Sequence, residues 1–367
     1  MEKGSLMFDK KLGIISLLFM INLWQSLLNA QSCNTGYVDI NGTCYWEKDI
    51  QFLEDIATLN GSGTAPLDIG HQEWSNGRMT YFHVYNFSIN GPLPSSVGNL
   101  TEVNYFSMYG SDVTTPLPDS LIHLTKLENF YLENNQLSGE FPPLIYRMSN
   151  IRHFSLYYNQ LTGTLPDSIQ YMPNLRQLNV SYNQFSGIIP NWIGRMSNLD
   201  NLNLSGNEFT GTIPDSLQYL SNLSSLSLGN NQLSGTLPSF IWDFNNLYSL
   251  YLYDNEFTGI IPSDIKDLAN LHYFNVGNNK LTGTIPDEIT ELQELRSFEI
   301  YSNELTGSLP DSMAKLTKLY SLNMSDNKFI GQIPEAIGAL SELEYLRING
   351  NTFTGTLPDT LKNLSKL

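Results

Sequence analysis

The chain has 367 residues, is 41% hydrophobic and 15% charged, and carries a formal net charge of −17. It contains no run or stripe of lysine and arginine, which argues against nucleic acid and anionic membrane surfaces as partners. The acidity favours a soluble, extracellular, cation-attracting surface without naming what it binds.

Residues 1–30 carry Lys3, Lys10 and Lys11, then a largely apolar block from Leu12 to Leu28, and end in a small residue, Ala30. This reads as a signal peptide cleaved after Ala30, and its removal (three basic and two acidic residues) takes the charge to −18. The block is short and is interrupted by Asn22, Gln25 and Ser26, which disfavours an uncleaved anchor. No later stretch is apolar enough to span a bilayer, so the mature segment is expected to hold no transmembrane span.

Residues 31–78 read as an N-terminal cap. The two cysteines of the chain, Cys33 and Cys44, suggest one disulfide closing a short loop in an exported protein. A zinc site is disfavoured, because no second cysteine pair or nearby histidine completes a tetrahedral set. No metal and no cofactor are expected. Ile50, Leu53, Ile56 and Ala57 recur at helical spacing within Glu47–Leu59, a face suited to covering the first coil of whatever follows. Asn60-Gly-Ser-Gly-Thr is a breaker loop with too few carboxylates for a calcium loop.

Residues 79–367 are one sentence repeated every 24 residues. Its register mark is an asparagine, at Asn135, Asn159, Asn183, Asn207, Asn231, Asn255, Asn279, Asn303, Asn327 and Asn351, followed seven residues later by a proline from Pro142 to Pro358. Pro118 and Pro94 extend the register upstream, where Ser111 and Phe87 replace the asparagine, giving twelve units. The last is incomplete, with no C-terminal cap; a solenoid needs polar terminal caps, so the natural chain is expected to continue beyond Leu367.

Within one unit, Leu199, Leu202, Leu204, Phe209, Ile213, Leu217 and Leu220 cannot be buried by that unit alone, and stacking makes them one continuous core. Asn201 to Ser205 alternates in and out, the pattern of a half-buried strand. Each unit should therefore add one short parallel strand, about 4.8 Å from the next. The asparagine amide offers two donors and an acceptor, enough to satisfy turn backbone in its own and neighbouring coils, so the row reads as scaffold. The glycine of T-G-T-I-P suits a conformation that a Cβ disfavours. The acid after many of the prolines (Asp119, Asp167, Asp215, Asp287, Asp311, Glu335 and Asp359) reads as a helix N-cap.

The pattern L-x-x-N-x-[LF]-[TS]-G-x-[IL]-P resembles the plant-type leucine-rich repeat of receptor-kinase ectodomains and polygalacturonase-inhibiting proteins. Trp74 to Thr80, W-S-N-G-R-M-T, is similar to the segment leading into their first strand; upstream, C-N-T-G-Y…N-G-T-C-Y replaces the plant cap's paired cysteines. The resemblance implies an α/β solenoid: a curved right-handed superhelix with a parallel β-sheet on its concave face, and short helical or 3-10 and extended crossovers on the convex side. It also implies that ligands bind on the concave face.

The outward strand positions lie six, four and two residues before the asparagine. Eleven of these 36 places hold tyrosine: Tyr81, Tyr85, Tyr105, Tyr109, Tyr131, Tyr157, Tyr251, Tyr253, Tyr273, Tyr301 and Tyr345. The charged or imidazole-bearing places are Glu133, Glu299, Arg347, His83 and His153. These sixteen residues are the candidate ligand-binding set, since rigid amphipathic rings give contact area at low entropic cost. Serine and asparagine belong to the repeat consensus and add nothing, and tyrosine can also simply cover a strand surface. The rings form two groups separated by a ring-free trough of Asn201, Asn203, Ser205, Ser225, Ser227 and Gly229.

Sequons occur at Asn41, Asn60, Asn86, Asn99, Asn179, Asn203, Asn222, Asn323 and Asn363. Glycans on Asn179, Asn203 or Asn323 would obstruct the concave face. Either these three stay unmodified or the source does not N-glycosylate.

No nucleophile, metalloprotease or phosphate-cradling motif occurs, and the five histidines are scattered. The expected function is a non-enzymatic recognition module, secreted or on the extracellular surface, that binds a protein or peptide on the concave face. The alternative is a cell-surface or cell-wall glycan-binding or adhesion protein, its rings stacking on sugars. A regular ice-binding array fits the uneven tyrosines poorly.

Overall fold

A computed structural model describes residues 33–141 and 147–367. The signal-peptide expectation and Pro142 of the proline row lie outside the described residues.

The first described element is a hairpin, β1 (Tyr37–Ile40) against β2 (Thr43–Trp46), closed by the Cys33–Cys44 disulfide. Helix α1 (Glu47–Asn60) follows without a break and buries Asp49, Ile50, Phe52, Leu53 and Ile56. It ends at Gly61, whose left-handed φ of 68° lets its N–H reach the Ala57 carbonyl. Phe52 meets Phe82 edge-on at 5.3 Å, and the rings continue through Phe106, Phe130 and Phe154 as a spine. Leucines hold the same inward place from Leu178 to Leu250, all buried.

Asp49, fully buried, fastens the cap to the repeats. It receives Arg78 Nε at 2.9 Å and the Met79 N–H at 2.9 Å, where the first repeat strand begins. Burial pushes its carboxyl above the usual aspartate range, and the Arg78 hydrogen bonds oppose that shift.

The repeats form two ladders. The long sheet has 13 strands: β3 (His71–Ser75) pairs antiparallel with β4 (Arg78–Tyr85), and all later neighbours are parallel, one per repeat, out to Tyr345–Arg347. Short 3-10 turns carry the chain between strands, as in Asp215–Tyr219. The extended part after the asparagine forms a sheet of its own, ten parallel strands from Ser138–Glu140 to Thr352–Phe353. Reading that segment only as an extended crossover missed this ladder. The T-G-T glycines lie in its strands with positive φ, 80° at Gly211 for example.

The asparagine row is the seam between coils. Asn183 Oδ1 accepts the Leu161 N–H at 3.0 Å from the preceding coil, while Nδ2 donates to Leu156 O at 2.9 Å and Val180 O at 3.1 Å. The same bonds recur at Asn207, Asn279, Asn303 and Asn327, leaving these buried amides satisfied.

The acids after the prolines do not cap the 3-10 turns. At each of these turns the proline holds the cap position with extended φ and ψ, the acid stands in the first turn, and no side-chain capping bond forms. Proline fixes the extended cap conformation and places the carboxylate one residue too late to receive the orphan N–H groups.

Candidate functional site

Twelve of the sixteen candidate residues lie in strands of the long sheet, and Glu133, Tyr157, Tyr253 and Tyr301 lie two residues beyond the ends of theirs, on the turn side. In the three-residue repeat strands the middle residue is turned inward, as Leu202 is between Asn201 and Asn203. Most of the candidate rings are half-buried against their neighbours; Tyr85, Tyr345 and Arg347 are exposed.

The N-terminal group is packed ring on ring. Tyr81 stacks on Tyr105 at 4.3 Å with planes 11° apart, and Tyr85 stacks on Tyr109 at 5.0 Å and 10°. Tyr131 leans on Tyr105 at 5.4 Å. Burial, then the neighbouring Tyr81, pushes the Tyr105 phenol up to about 12. β3 enlarges this group by placing His71 opposite His83 and Glu73 opposite Tyr81. The His71 ring meets Tyr81 at 5.3 Å. His153 Nδ1 lies 2.5 Å from Asn129 Oδ1, while buried His83 Nδ1 has no hydrogen-bond partner among the described residues.

The second group centres on Tyr251 and Tyr273. Burial, then the neighbouring Tyr273, pushes the Tyr251 phenol up to about 12. Tyr248, Tyr320 and His272 belong here as well: Tyr248 stacks on His272 at 4.2 Å and meets Tyr273 edge-on at 5.4 Å. Glu299 receives the Ser297 hydroxyl at 3.0 Å and the Ser321 hydroxyl at 2.6 Å. It lines a shallow depression with Ser321, Asn323, Tyr345 and Arg347.

The trough is not bounded as the sequence suggested. Tyr182 stands one residue before its asparagine, in a turn residue with φ of 52°, and its ring lies over Gly206. From the other side Tyr253 lies back over Gly229, and burial, then the neighbouring Tyr182, pushes its phenol up. Tyr157 packs edge-on against Tyr182 at 5.6 Å. The two groups are thus joined along the turn side of the sheet, and Asn201, Asn203, Ser225 and Ser227 form a polar floor beside that ridge. Tyr158, Tyr182, Tyr248, His272 and Tyr320 were missed because they stand just outside the three alternating positions. The signal was present as aromatic residues one before or seven before the asparagine.

On the opposite flank, six asparagines from Asn150 to Asn270 each donate to a carbonyl 25 residues back, a second exposed ladder. Asn179 and Asn323, two of the sequons on the face, accept hydrogen bonds from Ser181 and Ser325 through Oδ1, and Asn323 is buried. His83 and Glu133 lie on either side of an intervening strand, and among the described residues no hydrogen bond or ion pair joins their side chains.

Leucine-rich-repeat family models match residues 126–148, 141–185 and 173–233, and a leucine-rich repeat region model matches 241–367. No curated protein matches the chain. Among solved structures it is similar to the plant peptide hormone receptor RGFR1 in complex with RGF2, at 32% identity and TM-score 0.73 over 78% of this chain and 46% of that one. The Arabidopsis receptor kinase HAESA ectodomain with an IDA peptide hormone gives 31% and 0.65, over 76% of this chain and 51% of that one. A Leptospira interrogans leucine-rich-repeat protein gives 28% and 0.62, over 76% of this chain and 74% of that one. The chain spans about half the length of the two plant receptor chains. With the family models together covering residues 126–233 and 241–367, and with two stacked parallel ladders built on a 24-residue period, the chain belongs to the leucine-rich-repeat proteins, its repeats of the plant-receptor type.

Proposed function

We propose that the protein is a non-enzymatic extracellular recognition module that holds a protein or peptide ligand on the outward, concave face of the long sheet. One observation carries this reading: tyrosines gather on that face and join across its middle, although neither the core nor the asparagine seam requires them there. Rings already held by stacking and by contact with glycine lose little entropy on binding. RGFR1 and HAESA were each solved with a peptide hormone, which supports a peptide-class ligand for a chain of this type. The disulfide-closed cap supports an extracellular setting.

The test pairs the wild-type protein with a Tyr251→Ala, Tyr253→Ala double variant in capture from a secreted-protein mixture and on a glycan array. Capture of a protein or peptide that the double variant loses, without glycan binding, is the expected result. Glycan binding lost in the same variant would move the assignment to a sugar ligand. A ligand that both forms bind equally would remove the face from consideration.

A further inference from the structure

We propose that the turn side of this face, centred on Tyr253, Asp254 and Tyr301, seats a cationic stretch of the ligand, an arginine- or lysine-bearing peptide segment whose charged groups lie over the rings. The proposal rests on the sheet-face reading above and names the chemistry that face selects.

The two positions just before the asparagine make 24 places over twelve units, of which seven are tyrosine, three are carboxylates (Glu133, Asp254 and Asp326) and none is lysine or arginine. Elsewhere the solenoid supplies cations to carboxylates on adjacent coils. Lys126 pairs with Glu102 at 2.5 Å, Lys280 with Glu256 at 3.2 Å and Lys328 with Glu304 at 2.8 Å, all 24 residues apart. Among the described residues Asp254 has no such partner; its oxygen instead accepts the Asn278 amide at 2.7 Å, which orients it.

The rings are set for a cation. A Cβ on Gly229 would come within 2.6 Å of the Tyr253 ring, and one on Gly277 within 2.3 Å of Tyr301, so each ring lies along the sheet with one side against bare backbone. Burial first, and the Asp254 charge after it, hold the two phenols above their ordinary range. A guanidinium or ammonium over a tyrosine face beside an unpaired carboxylate gains both the cation–π and the Coulomb attraction. The net charge of −17 adds long-range steering. Tyr253 and Tyr301 are two coils apart, about 9.6 Å. In a polyproline II chain, side chains three residues apart share a side at about 9.3 Å.

The experiment uses a labelled twelve-residue peptide, (Arg-Pro-Ser)4, with a neutral counterpart carrying citrulline for arginine. Asp254→Asn is the informative variant, because Asn134, Asn230 and Asn278 hold the same repeat position with the same left-handed φ, so the fold tolerates it. Asp243→Asn removes one equal charge from a 3-10 turn outside the sheet. The expected result is binding that weakens as salt rises, is lost with citrulline, falls about fivefold or more in Asp254→Asn and is unchanged in Asp243→Asn. Equal loss in the two variants, or equal binding of the citrulline peptide, would reduce the effect to bulk charge and overturn the proposal. No arginine-peptide binding alongside capture of a protein sensitive to Tyr251→Ala, Tyr253→Ala would sink the cation proposal alone and leave the sheet-face reading standing. Failure of both assays would end both.

Discussion

The two sheets come from one repeating unit and yet carry opposite kinds of outer surface. On the second sheet the outer residues repeat with the coil. Gln184, Glu208, Gln232, Glu256 and Lys280 follow one another at one position, and Ser186, Thr210, Ser234, Thr258 and Thr282 at the next but one. Their side chains serve the coil beside them: the Thr258, Thr282 and Thr306 hydroxyls donate to glycine carbonyls 23 residues back, and Lys280 and Lys328 pair with glutamates one coil away. On the long sheet the outer residues change from coil to coil, and the interior asparagine seam has already satisfied the backbone. The lesson is that a side chain free of seam duty can be spent on recognition. The tyrosines are concentrated where such freedom exists.

The sharpest way to break this comparison is to exchange the two duties. Replacing Asn207 by alanine leaves the Phe185 N–H without its partner inside the stack, while the Val180 and Leu204 carbonyls keep the amides of Asn183 and Asn231. Thermal or denaturant unfolding should show a loss of about 1–3 kcal/mol, the cost of one buried unpaired group, with ligand preference unchanged. An unaltered melting curve would mean that the asparagine row is not the seam.

Gly277→Ala is the converse case. The φ of Gly277 is not left-handed, so alanine suits the backbone, but its Cβ would displace the Tyr301 ring. Ligand affinity should fall severalfold, about 1 kcal/mol, while the melting temperature stays nearly constant. A parallel loss of stability would make Tyr301 a structural cover.

The smallest effect is a titration. Exposed phenols ionise near about 10, whereas Tyr105 and Tyr251 are pushed up to about 12 by burial first. The folded state therefore keeps protons that the unfolded chain gives up. The contribution is complete below about 10 and is lost as pH rises through about 12. Phenolate absorbance should show a late class of tyrosines that Tyr105→Phe and Tyr251→Phe each reduce by one. A single class near 10 would place these rings in solvent.

Much of this molecule is written in its period. The recurring Leu202, Leu204, Asn207 and Gly211 pattern determined stacked coils, the parallel strands, the asparagine seam and the left-handed glycines, because each is a local requirement that every unit meets in the same way. The pairing of the only two cysteines followed just as directly. Tertiary structure alone decided what happens between units. It turned the segment after each asparagine into a second sheet, since those residues hydrogen-bond only to the neighbouring coil. It gave the cap position of each described 3-10 turn from Ser95–Asn99 onward to proline, and where an acid follows it moved that acid inward by one residue. It also added β3, which brings His71 and Glu73 beside Tyr81. Above all, it closed the apparent gap between the tyrosine groups. Tyr182 and Tyr253 are 71 positions apart in the sequence, and they meet only because the intervening coils present Gly206 and Gly229, with no side chain to hold the rings away.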